Sequence, residues 1–204
     1  MDDNVFAPPK AKLEDKKDSQ PFFITSSRKL WILTIMTIGF YYYYWFYKQW
    51  QYHKYHYDSK IMPVMRTIFS VFYIYPLFLS VDAAAKQSKI KPVINLKLLA
   101  VLTIIIVIAE GVIDWMAQFE AFTYWGYLGY LLMYFSLVPF FIVQLTINQV
   151  LGDPKGATND TLSVYNYLFI FFGLGGYIYI IASLLEINLD FLSEGIDTLL
   201  NQSA

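Results

Sequence analysis

Half of this chain is written without charge. Five stretches contain no Asp, Glu, Lys or Arg: residues 30–47, 67–81, 98–109, 121–152 and 161–185, together 102 of 204 residues. A soluble domain of this size leaves a large share of its surface wet and could not hide so much uncharged chain. Charged residues make up only 15% of the sequence, against about 25% in an average soluble domain. Soluble enzyme, nucleic-acid binder and disordered tail are excluded as classes. What remains is a protein solvated by lipid.

Composition sharpens this reading. The mean hydropathy of +0.42 is modest, because the chain holds 18 tyrosines, which the index scores as polar. Tyrosine and tryptophan suit the headgroup region, where the ring faces hydrocarbon and the OH or NH faces water. Net charge is −1 and cysteine is absent. Disulfides, thiolate metal sites and cysteine nucleophiles are thereby ruled out.

Crossing about 30 Å of hydrocarbon takes about 20 helical residues. Measured by that ruler, the chain is expected to be an all-α, polytopic bundle of about five apolar helices, over 29–47, 66–82, 93–116, 122–150 and 162–185. The runs are continuous rather than alternating, which excludes a membrane barrel. The last three segments are long enough to span; the fourth exceeds one crossing and contains Pro139. The first two either cross or form re-entrant or surface-lying helices. The first changes character at Gly39, beyond which twelve of the 18 residues from Phe40 to Tyr57 are aromatic. The second is short and carries Pro76. Residues 1–25 read as a solvated arm without the apolar core of a cleavable signal. The bundle then occupies 26–185. Residues 186–204 read as an acidic amphipathic helix, with Leu189, Leu192, Ile196 and Leu199 on one side.

Lysine and arginine set the orientation. Five crossings with the N-terminus inside put eleven of the 15 basic residues inside. If the first two segments do not cross, all 15 lie inside. Both schemes leave 114–121 and the C-terminus outside.

Four intramembrane polar residues are candidates for function. Glu110 and Asp114, spaced i, i+4, share a helix face near the outer end of the third segment and suit a cation site or proton relay. The bland reading has both reaching out to the interface beside Trp115. Gln144 and Asn148 are also i, i+4 and read as interhelical glue, with Asn166 offering a partner. His53 and His56 are too few for a zinc site. Gly173-x-Gly175-Gly176 follows no strand and is not a phosphate loop, though its glycines permit close helix approach. Lys48, Lys54, Lys60 and Arg66 lie among aromatics and suit anionic headgroups rather than nucleic acid. No catalytic set, metal site or cofactor motif stands out, so a non-enzymatic protein without cofactor is expected. Its partners are the lipid bilayer and, on one reading, another membrane protein; no nucleic acid is expected, and oligomeric state stays open.

Residues Thr37, Gly39, Tyr41, Tyr44, Trp45, Tyr47 and Trp50 fit the pattern Thr-x-Gly-x-Tyr-x-x-Tyr-Trp-x-Tyr-x-x-Trp at every fixed position. The pattern resembles the signature of a family of small bacterial inner-membrane proteins classed as a domain of unknown function. An Asn4–Pro8 arm, Lys29-Leu30, Pro63 with Arg66, and Gln144 with Asn148 extend the likeness. The four-tyrosine run and the lack of a second asparagine soon after Asn148 depart from it. The resemblance implies a multi-pass protein of the bacterial inner membrane and no particular activity. The signature rings then read as anchors at the membrane boundary. Two functions follow as expectations: a scaffold, accessory subunit or regulator, and a lipid or small-solute binder with a groove among the third to fifth segments lined by Glu110, Asp114, Gln144 and Asn148.

Overall fold

The structure, a computed structural model, describes residues 20–116 and 123–184. Among the described residues there are seven α-helices and no strand. They are α1 (Ser27–Met36), α2 (Tyr41–His56), α3 (Pro63–Ile68), α4 (Ser70–Gln87), α5 (Leu96–Met116), α6 (Thr123–Val150) and α7 (Val164–Leu184). Three of them are long and apolar enough to cross a membrane: α5, the Leu131–Val150 part of α6, and α7 up to Ala182. The 1–19 part of the expected arm and the acidic tail at 186–204 lie outside the described residues.

The first apolar segment is not one helix. It divides at Ile38 and Gly39, whose φ angles of +52° and +81° fall in the left-handed region. Gly39 N–H donates to Thr34 O at 2.8 Å and Ile38 N–H to Ile35 O at 3.0 Å, the paired bonds of a Schellman stop. Glycine adopts such angles at no steric cost, whereas the β-branched Ile38 is strained there. Ten residues give α1 a length of about 15 Å, half of a hydrocarbon core. The chain then turns back: Phe23, before α1, hydrogen-bonds Gln49, midway along α2. Residues 27–56 are therefore a helical hairpin, in which the segment entering α1 meets the middle of α2.

The tip of this hairpin is sealed. The Thr37 hydroxyl donates to Leu33 O at 2.7 Å and accepts from Tyr41 N–H at 2.9 Å, linking the end of α1 to the start of α2. Tyr177 of α7 donates to Ile35 O at 2.7 Å. A helix break in apolar surroundings persists only when its freed backbone groups find such partners.

The second apolar segment is also divided, at Phe69, into α3 and α4. Helix α4 has 18 residues but carries Pro76, Asp82 and Lys86, and it falls outside the spanning class. It packs antiparallel to α5, burying Ile74, Leu77, Phe78 and Val81 against Leu96, Leu99 and Ala100.

Helix α6 is the hub. Its spanning part is 56% buried, against 22% for α5 and 11% for α7. Phe140, Val143 and Ile147 meet Trp45, Phe46 and Phe78 in the core. Antiparallel pairing of α4, α5, α6 and α7 brings the 88–95 and 151–163 loops to the end where residues 20–26 lie. The helix ends and loops on that side carry Arg28, Lys29, Lys54, Lys86, Lys89, Lys91 and Lys155 and form the basic end of the bundle.

Candidate functional site

Two polar features occupy opposite depths of the bundle. The first is a clamp at the basic end. Residues 22–26 run extended through the interior, with Phe22 and Thr25 fully buried. Sequence assigned 20–25 to a solvated arm; the structure instead packs this stretch in the core, because Phe22 and Phe23 pull it in. An extended segment has no helical partners of its own, so side chains must supply its hydrogen bonds.

Amides do this. Gln49 accepts from Phe23 N–H at 3.0 Å and donates to Phe23 O at 3.1 Å, as a neighbouring strand would. Gln144 Nε2 donates to Phe23 O at 3.2 Å and to Asn148 Oδ1 at 2.6 Å. Its Oε1 accepts from Trp45 Nε1 at 2.6 Å and from Gln49 Nε2 at 3.1 Å. Asn148 donates to Thr25 O at 2.9 Å, and Asn159 donates to Ile24 O at 2.8 Å. Gln49, Gln144 and Asn148 are all fully buried.

The α6–α7 loop closes the clamp. Gly156 has φ +65°, and a Cβ there would stand 2.5 Å from Thr25 O. Ser26 caps α1 and donates to Asp160, which also pairs with Arg28. Hydrogen bonds from Ser26 and Arg28 hold the partly exposed Asp160 carboxyl below its ordinary range. Lys29 Nζ donates to Asn159 Oδ1 and Thr161 O.

The second feature is a cleft of about 400 Å³ at the hairpin tip. Gly39, Phe40, Tyr42 and Tyr43 form one wall, Val107, Glu110, Gly111 and Asp114 of α5 a second, and Met133, Ser136, Leu137 and Phe140 of α6 a third. Ser70 stands at its edge. Glu110 is half-buried and within hydrogen-bonding reach of Ser136. Asp114 is exposed and lies against Gly129 of α6. The site joins two carboxylates to aromatic and aliphatic walls.

The candidate residues thus separate. Glu110 and Asp114 line the cleft; Gln144 and Asn148 belong to the clamp and are not among the residues that line this cleft. Asn166 does not meet the amides. It accepts from Ser163 N–H at 2.9 Å, at the start of α7. Among the signature residues, Tyr41, Trp45 and Trp50 are buried, Thr37 and Gly39 build the hairpin tip, and Tyr44 and Tyr47 remain at least partly exposed. Trp45 and Trp50 were read as boundary anchors, but α2 folds back on α1 and α6 and turns them inward.

Gln49, Asn159 and Gly156 were not singled out from the sequence. Gln49 had a signal: Tyr41, Trp45 and Gln49 recur at i, i+4, i+8 and share one face of α2. Asn159 and Gly156 had none, since the residues they hold in the clamp are 130 or more positions away. Gly173 and Gly176 face the end of α1, at Met36 and Ile38, while Gly175 faces open space.

The chain matches no family model, no curated protein and no solved structure.

Proposed function

We propose that this is a non-catalytic integral membrane protein that binds a small amphiphile with a cationic head in the hairpin-tip cleft. The cleft carries the reading, because it sets carboxylates Glu110 and Asp114 beside apolar and aromatic walls. Carboxylates in such a setting favour a positive partner, and Phe40, Tyr42 and Phe140 favour its apolar part. Helices α5, α6 and α7 cross the bilayer in this reading, and α1–α2 enters and returns as a re-entrant hairpin. The basic end faces the cytoplasm, in keeping with the excess of lysine and arginine there. The family resemblance supports placement in a bacterial inner membrane.

The test uses the purified full chain in mild detergent. Decylamine should raise its melting temperature saturably, while decanol should not. In Glu110→Gln/Asp114→Asn the apparent decylamine affinity should fall by about tenfold or more, the scale of one charge-assisted contact. An equal response in the double variant, or an equal response to decanol, would refute the cationic-head reading.

A second reading, an accessory subunit, draws on α7. Its spanning part is only 11% buried, and it meets the body at α1 and, through the Tyr177–Tyr134 hydroxyl pair, at α6. Phe171, Phe172, Ile178 and Tyr179 point away from the body. In-membrane crosslinking from Phe172 distinguishes a protein neighbour from lipid alone.

A further inference from the structure

The short helix α3 carries a guanidinium with no anion. Arg66 lies over the face of Trp50, its Cζ 4.0 Å from the ring centre, and 4.9 Å from the Tyr73 ring. It is partly buried, and among the described residues no carboxylate or carbonyl accepts a hydrogen bond from it. Beneath it, Trp50 is 1% exposed and its indole Nε1–H has no acceptor among the described residues. The His53 ring centre is 5.3 Å from that of Trp50, and His53 Nδ1 is a second buried polar atom without a partner. Ser59 Oγ, three residues past α2, is a third. Burial and the charge of Arg66 draw the His53 imidazole down to about 4, so at neutral pH its ring is uncharged and Arg66 supplies the positive charge.

Buried donors are almost always paired, and each orphan is costly. An indole N–H and a planar guanidinium within one patch, with the His53 imidazole beside them to donate from Nδ1 in that tautomer, are met by an anion rich in acceptor oxygens. Phosphate is such an anion, since several oxygens can accept at once and the guanidinium fork suits two of them. The surroundings favour a lipid as its source. Met62, Met65, Ile68, Phe69 and Phe72, on and beside α3, are exposed by 41–74% and give acyl chains an apolar surface beside the charge.

We propose that Arg66, Trp50 and His53 form a binding site for the phosphate of a membrane phospholipid, whose acyl chains lie along α3 and the first turn of α4. The site lies apart from the hairpin-tip cleft, so the decylamine and phosphate tests succeed or fail independently.

The experiment is thermal denaturation of the detergent-solubilised full chain, titrated with dioctanoyl phosphatidylglycerol, dioctanoylglycerol or inorganic phosphate. Phosphatidylglycerol should raise the melting temperature saturably, and dioctanoylglycerol should not. Arg66→Gln should weaken the phosphatidylglycerol response by about tenfold or more, and Trp50→Phe, which keeps the ring but loses the N–H, should weaken it by a smaller factor. Lys60→Gln removes a nearby charge outside the site and should leave the response unchanged. A matching response to inorganic phosphate would keep the anion site but overturn the lipid as its source. No response to either phosphate, an undiminished response in Arg66→Gln, or an equal loss in Lys60→Gln would overturn the site itself.

Discussion

Gln144→Leu should lower the stability of the purified protein by about 3 kcal/mol, although leucine matches glutamine in size and suits a membrane helix better. The Gln144 amide uses all its capacity: Oε1 accepts twice and Nε2 donates twice, to four different groups. Leucine leaves the Trp45 indole N–H without an acceptor and takes one partner each from Gln49, Asn148 and Phe23 O. Phe23 O keeps Gln49, so the 22–26 segment is weakened rather than released. For a chain of this size the loss corresponds to about 6–12 °C in melting temperature. Adding Trp45→Phe to Gln144→Leu should cost less than the sum of the two single changes, because the shared bond is lost once. A shift under about 1 °C for Gln144→Leu would show that the amides do not hold the hairpin closed.

The glycines of α7 give the second large effect, and they carry their own control. A Cβ on Gly173 would run into the backbone carbonyl of Met36 at the end of α1, and backbone cannot swing aside as a side chain does. Gly173→Ala should therefore force α7 off the hairpin, stretch the bond from Tyr177 to Ile35, and cost about 2–3 kcal/mol. Gly175, two residues on, has nothing within 4 Å. Gly175→Ala should be neutral or stabilising by up to about 1 kcal/mol, as alanine is the better helix former. Thermal denaturation of both variants in one detergent reads the contrast. Equal behaviour would mean that α7 does not dock on α1 through Gly173.

These effects show which information the chain carries openly. Helices α5, α6 and α7 are legible because a lipid-facing helix must be apolar over its length, and that run is local. The change of character at Gly39 is legible too, but its outcome is not. Whether the aromatic block continues outward or folds back depends on Gln49 finding Phe23 and Trp45 finding Gln144, contacts that span 26 and 99 residues. Composition favours the interface for Trp45 and Trp50, and tertiary packing overrides it. Similarly, i, i+4 spacing places Glu110 with Asp114 and Gln144 with Asn148. It does not reveal that the first pair faces a cleft and the second a buried, non-helical segment. Residues 22–26 were hidden because an extended, polar-backboned segment in a bundle becomes stable only once distant amides surround it.

The proposed re-entrant path of residues 27–56 is most directly tested by cysteine accessibility in intact cells, and the absence of native cysteine leaves no background. Lys54→Cys and Gln87→Cys should both resist a membrane-impermeant maleimide added outside and react once the inner face is opened, while Gln118→Cys should react from outside. Labelling of Lys54→Cys from outside intact cells would place the end of α2 across the membrane from the α4–α5 loop and contradict the hairpin.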